Sequence, residues 1–193
     1  DEFGFHYIEG GYAGANPKED EFFRRARSLN LKNAVIAAFG NTRRADADVT
    51  GDAVIRALLN SEAPVVTLVG KASEMQVKAV LETSLEENLA MIADSANYVR
   101  KEGRRVFFDA EHFFDGFKSN PEYALQTVRV AADSGAEIVI LCDTNGGTLP
   151  GEMFQIVTEV KDVTDVDLGI HTHNDTETAV GSALAAFNAG VVQ

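Results

Sequence analysis

The sequence predicts an α/β fold of repeated βα units, on three observations. Short apolar runs alternate with amphipathic stretches roughly every 30 residues, two runs are apolar without a break, and no hairpin signal interrupts the series. The first strand is expected at residues 5–9. The glycine-rich stretch Gly10-Gly11-Tyr12-Ala13-Gly14 follows it. It lacks the Gly-Lys-Ser/Thr ending of a phosphate loop and the Gly-x-Gly-x-x-Gly spacing of a dinucleotide site, so it reads as a tight turn. A helix over 17–28 opens with Pro17 after Asn16, where the missing proline N–H costs nothing. The second strand, 33–39, carries Val35-Ile36-Ala37-Ala38-Phe39, continuously apolar as a strand buried on both faces must be. Period alone then places a helix at 52–59, a strand at 64–69, a helix at 84–102 and a strand at 105–110. Pro121 after Asn120 opens a helix over 121–134, and a strand at 137–142 holds the second unbroken run, Ile138-Val139-Ile140-Leu141. Pro150 opens a helix over 150–164; a strand at 167–173 and a helix at 178–189 complete the series, and Val191-Val192-Gln193 begins one more strand.

Six units in a row leave two architectures, an open doubly wound sheet or a closed barrel. Unusual chemistry stands at the end of every strand: Glu9-Gly10-Gly11, Gly40-Asn41-Thr42-Arg43-Arg44, Gly70-Lys71, Asp109 with Glu111 and His112, Asp143-Thr144-Asn145-Gly146, and His171 with His173 and Asn174. An open sheet needs functional loops only near its switch point, whereas a (β/α)8 barrel gathers all of them around one mouth. The sequence therefore predicts a TIM-type (β/α)8 barrel as one domain over residues 1–193, with about six of the eight units. Its N-terminus, Asp1-Glu2-Phe3-Gly4, shows neither an initiator Met nor a signal pattern, and so reads as the start of a segment of a longer protein.

Composition narrows the function. The 193 residues are 45% hydrophobic and 24% charged, ordinary for a soluble domain with one sizeable core. A formal net charge of −13 argues against nucleic acid and anionic membrane surfaces, which select basic faces. The lone cysteine, Cys142, forms no intramolecular disulfide, and no apolar stretch approaches the roughly 20 residues of a membrane span; both fit a reducing cytoplasm.

The most explicit chemistry lies in Leu168-Gly169-Ile170-His171-Thr172-His173-Asn174-Asp175. Residues i and i+2 of a strand face one side, so His171 and His173 present two imidazoles where the strand runs out, half of a site for a divalent metal. An isolated His-x-His is also an ordinary polar strand ending.

Taken together, Ile8-Glu9-Gly10-Gly11, Ala38-Phe39-Gly40-Asn41-Thr42-Arg43-Arg44, Asp143-Thr144-Asn145-Gly146-Gly147 and His171-Thr172-His173-Asn174-Asp175 resemble the 2-isopropylmalate, homocitrate and citramalate synthase group. These are metal-dependent pyruvate carboxyltransferase-like barrels, also called DRE-TIM metallolyases. Phe108-Asp109-Ala110-Glu111-His112-Phe113-Phe114-Asp115-Gly116-Phe117-Lys118, Gly70-Lys71 and Thr83-Ser84-Leu85-Glu86-Glu87-Asn88-Leu89 look most like the citramalate branch. The resemblance implies an acyltransferase of branched-chain amino-acid biosynthesis: acetyl-CoA condenses with a 2-oxo acid, pyruvate giving citramalate, and the thioester is hydrolysed. It also implies a divalent metal (Mn, Zn or Mg), a homodimer, and small-molecule partners only. By the same resemblance, His171 and His173 match the metal histidines, Thr144 the residue that binds the 2-oxo acid carboxylate, and Glu111 an acid/base or water-orienting group. Asp109 shares the substrate pocket, and Glu9 either supports the substrate site or makes a simple ion pair in the barrel.

The family's Asp-x-Thr-x-Arg-Asp-Gly motif on its first strand has no counterpart here. The expectation is a segment that starts after that strand and lacks most of the last one. It should be inactive by itself, with unpaired edges at residues 5–9 and 167–173. Ser73 and Gln76 stand where the citramalate branch usually has a Trp and a His, which leaves the 2-oxo acid open. Arg43 and Arg44 either meet the acetyl-CoA phosphates or pair with Asp46 and Asp48, and His112 reads as a loop residue. Two other classes stay open: an amidohydrolase-type enzyme, which carries His-x-His on its first strand, and an inactive structural or regulatory barrel remnant.

Overall fold

The computed structural model describes all 193 residues. Six parallel strands follow in order β1 (Tyr7–Tyr12), β2 (Val35–Asn41), β3 (Val65–Lys71), β4 (Arg105–Glu111), β5 (Ala136–Asp143) and β6 (Asp167–Thr172), each paired with its neighbour in sequence. Helices α1 (Pro17–Ala26), α2 (Ala53–Asn60), α3 (Glu74–Gln76), α4 (Leu85–Lys101), α5 (Phe113–Ser119), α6 (Pro121–Asp133), α7 (Pro150–Lys161) and α8 (Ala179–Asn188) lie between and after them. A π-helical turn at Val77–Leu81 prolongs α3.

The helix starts follow the local chemistry. Asn16 Oδ1 accepts from the N–H groups of Lys18 and Glu19, Asp52 Oδ1 from those of Val54 and Ile55, Ser84 Oγ from that of Glu87, and Asn120 Oδ1 from that of Tyr123. Proline opens α1, α6 and α7 as expected. Two helices were not foreseen. The α3 segment is one turn long, too short for a period to show, and α5 carries Asp115, Gly116 and Lys118 among its phenylalanines. Gly116 is required there, because a Cβ would collide with the Ala72 carbonyl.

The sheet has two faces, and strand alternation sorts residues between them. Outward-facing Val66, Leu68, Val106, Phe108, Val139 and Leu141 pack under the helices with Ile55, Leu58, Ile92, Val99, Val128 and Val157. Inward-facing Ala37, Val65, Phe107, Ile138, Ile140 and Cys142 make a smaller cluster with Tyr7 and Val35. The sheet curls enough for β1 to touch β4 across this concave side. The Tyr7 and Phe107 rings meet edge to face at 4.8 Å, and the Arg105 guanidinium donates to Tyr7 Oη at 2.8 Å. This is the curvature of a (β/α)8 barrel with six of its strands.

Two expectations need correction. The first strand starts at Tyr7 and runs through Gly10 and Gly11, so this stretch is no tight turn but a bulge in the β1–β2 pairing between Glu9 and Tyr12. Gly11, at φ +113°, supplies the backbone freedom that the bulge demands. The edge at β6 is partly covered: Val192 N–H donates to the Leu168 carbonyl (2.9 Å) and Ile170 N–H to that of Gln193 (2.8 Å), the start of the further strand expected there.

Candidate functional site

The parallel register arranges the inward-facing residues in tiers. Val69, Asp109 and Ile140 stand level across β3, β4 and β5; one tier nearer the C-terminal mouth Lys71 faces Glu111, and Cys142 faces His171. Glu9, Asp109 and His171 line one open hollow of about 210 Å³ over Thr67, Phe107 and Ile140. Lys71 and Glu111 line a neighbouring hollow of about 460 Å³, walled by Arg44, Val54, Val69, Val80, Leu81 and Met91.

The charges of this mouth are unbalanced. Burial, followed by repulsion from Glu9 and Glu111, pushes the Asp109 carboxyl up to about 7. Partial enclosure raises Glu9 as well. Burial and the same three carboxylates push the Cys142 thiol well up, so it stays protonated and donates weakly to the Ile140 carbonyl at 3.8 Å. Enclosure and the nearby His173 lower the pKa of His171, favouring the neutral imidazole that a metal binds. The donor atoms of Asp109, Cys142 and His171 lie within 4.8 Å of one another, and the His171 and His173 rings are 5.1 Å apart. A neutral His171 imidazole beside crowded carboxylates suits a divalent cation, whose charge would relieve the repulsion.

Thr144 sits in the loop after β5, and its Oγ1 accepts from the His112 N–H at 2.8 Å. Its own hydroxyl proton has no acceptor within the chain and is free for a ligand. Asp143, 2% exposed, shapes this loop by accepting from Thr148 N–H and Oγ1. The Asp143 carbonyl accepts from Gly146 and His173, and Thr176 Oγ1 donates to the Gly146 carbonyl, so the loops after β5 and β6 are tied together.

The structure thus brings Glu9, Asp109, Glu111, Thr144, His171 and His173 to one end of the sheet. Neither arginine pairs with Asp46 or Asp48. Arg43 is buried against Glu87 and Asp94 of α4, its charge consumed there, while the exposed Arg44 reaches Asp52. His112, at φ +57°, turns toward Asp115 rather than into the hollow. The sequence marks Lys71 and Asp143 as strand-end residues without a role, and Cys142 only as a lone cysteine. For Lys71 and Cys142, inward parity with Val69 and Ile140 was the available signal.

Comparison with known proteins gives the family and the fold. The family model described as HMGL-like matches residues 1–193. The (R)-citramalate synthase of Aquifex aeolicus (strain VF5) is 52% identical over 100% of this chain and 37% of its own length. That of Streptomyces coelicolor (strain ATCC BAA-471 / A3(2) / M145) is 51% identical over 98% of this chain and 36% of its own. The chain therefore spans little more than a third of these relatives. Among solved structures, the HMG-CoA lyase of Brucella melitensis superposes with a TM-score of 0.78 at 15% identity, over 97% of this chain and 66% of that one, a likeness of fold. No helix is long and apolar enough to cross a membrane.

Proposed function

The chain belongs to the HMGL-like family, and from that premise we propose that the protein it forms part of condenses acetyl-CoA with pyruvate to citramalate. One observation carries the reading: Glu9, Asp109 and His171 share one hollow, with the His173 ring 5.1 Å from that of His171, and Glu111 and Thr144 stand at the ends of β4 and β5, where a barrel places its chemistry. In balance, the acetyl methyl loses a proton and forms a C–C bond to the ketone carbon. The ketone oxygen gains a proton, and water then cleaves the thioester to release the CoA thiol.

His171 and His173 would hold a divalent cation, Mn, Zn or Mg, which supplies Lewis-acid polarisation of a ketone. The chain's own residues do the rest. Thr144 donates its free hydroxyl to the 2-oxo acid carboxylate. Glu111 moves the proton or orients the water, while Asp109 and Glu9 line the substrate pocket. The half-apolar hollow beside Glu111, with Arg44 at its wall, has the size and lining for the arm of acetyl-CoA. Ser73 is buried and opens α3. A cytoplasmic homodimer that acts on small molecules and not on nucleic acid belongs to the same proposal.

The test is an assay of the full-length protein against pyruvate, 2-oxoisovalerate and 2-oxoglutarate with acetyl-CoA and each of the three metals. Preferential CoA release with pyruvate is expected. Preference for either longer acid would move the protein to another synthase, and no turnover would reject the reading.

A further inference from the structure

Lys71 ends β3 and Glu111 ends β4, and the register sets them side by side at the mouth. The Lys71 ammonium donates to Glu111 Oε2 and forms an ion pair with it, the two side chains being 18% and 29% exposed. No other cation reaches Glu111, and Lys71 has no other carboxylate partner. Partial enclosure keeps such a pair from being screened away as a surface pair is.

The lysine is itself held. Asn88 of α4, wholly buried, donates from Nδ2 to the Lys71 carbonyl at 2.8 Å and to Tyr123 Oη at 2.7 Å, fixing the end of β3. The only other carboxylates named at this mouth, Asp109 and Glu9, give Glu111 no counter-charge. Left without a counter-charge, a flexible glutamate so placed would swing away into solvent. A group that acts on reacting atoms must be held within a fraction of an ångström of its working position.

We infer that Lys71 is a positioning residue for Glu111: its ammonium pins the carboxylate at the mouth, at the strand end next to its own. This role rests on the synthase reading above. Lys71 acts here as a point charge, so arginine preserves the sign while methionine preserves only the bulk.

The test uses the full-length enzyme with saturating metal and compares kcat and KM for pyruvate and acetyl-CoA in wild type, Lys71→Met, Lys71→Arg, Glu111→Gln and the Lys71→Met/Glu111→Gln double variant. Lys71→Met should lose about 10- to 100-fold in kcat, the cost of a misplaced group, with both KM values within about threefold. Lys71→Arg should recover most of that loss. In the double variant kcat should match that of Glu111→Gln alone, because the lysine has nothing left to position. Wild-type kcat in Lys71→Met overturns the role, as do losses that multiply in the double variant. A selective rise in acetyl-CoA KM would instead make Lys71 a contact to that substrate. A wild type that condenses nothing overturns the synthase reading and this role together, an outcome distinct from an active wild type with an unimpaired Lys71→Met.

Discussion

The buried carboxylate of Asp143 accepts both the N–H and the hydroxyl of Thr148, each at 3.1 Å, and so closes the loop that presents Thr144. No cation offsets this carboxylate; it is held by hydrogen bonds alone. Replacing Asp143 with Ala leaves two buried donors of Thr148 unpaired and should cost about 3 kcal/mol of stability. Thr148→Val removes the hydroxyl's bond to Asp143, together with the longer one that the hydroxyl accepts from the part-exposed Lys118 ammonium at 3.3 Å, and should cost about 1.5 kcal/mol. Urea unfolding midpoints check both, and equal losses in the two variants would contradict the two-bond account.

Thr144 accepts from His112 and has its proton to spare, so Thr144→Ala removes one hydrogen bond to a carboxylate, worth about 1.5 to 3 kcal/mol. Pyruvate kcat/KM should fall by roughly 10- to 100-fold while acetyl-CoA KM stays near its wild-type value. Equal losses toward both substrates would remove Thr144 from the carboxylate site.

His171→Ala and His173→Ala should each strip the full-length protein of bound metal as well as turnover, because few protein donors are available. Metal analysis after gel filtration decides this. Stoichiometric metal retained in both variants would place the cation elsewhere in the mouth.

Most of the fold was legible because its period is carried by apolar residues that have no other place to go. All six strands and six of the helices are where the alternation and the prolines put them, with ends shifted by a few residues. The ends of β1 were not legible, because two glycines signal a turn and a bulge alike, and pairing with β2 decides between them. In the site, the residues at the strand ends were legible by parity. Their partners were not. Arg43 stands next to Asp46 and Asp48 in sequence, yet α4 brings Glu87 and Asp94 to it, and Lys71 meets Glu111 only through a register that the sequence does not print.

Asp109 gives the fold a pH dependence opposite to that of a paired surface carboxylate. Its folded pKa lies near 7, raised from an ordinary 3.8 by burial and by the charges of Glu9 and Glu111. Between those values the folded chain keeps a proton that the unfolded chain has lost, so stability falls as pH rises from about 4 to 7. Below that window both states are protonated and the contribution is flat. In the metal-free protein, held so by a chelator, Asp109→Asn should remove this part of the decline and unfold at a higher urea concentration than wild type at pH 8. Near pH 3, below both values, the two proteins should converge, since the wild-type carboxyl is then mostly neutral in both states. An added divalent cation should bring wild type back toward the variant at pH 8, because its charge takes over from the missing proton. Parallel stability curves for the two proteins from pH 4 to 8 would show that Asp109 is solvated and ionised in the folded chain, contrary to its place under Glu9 and Glu111.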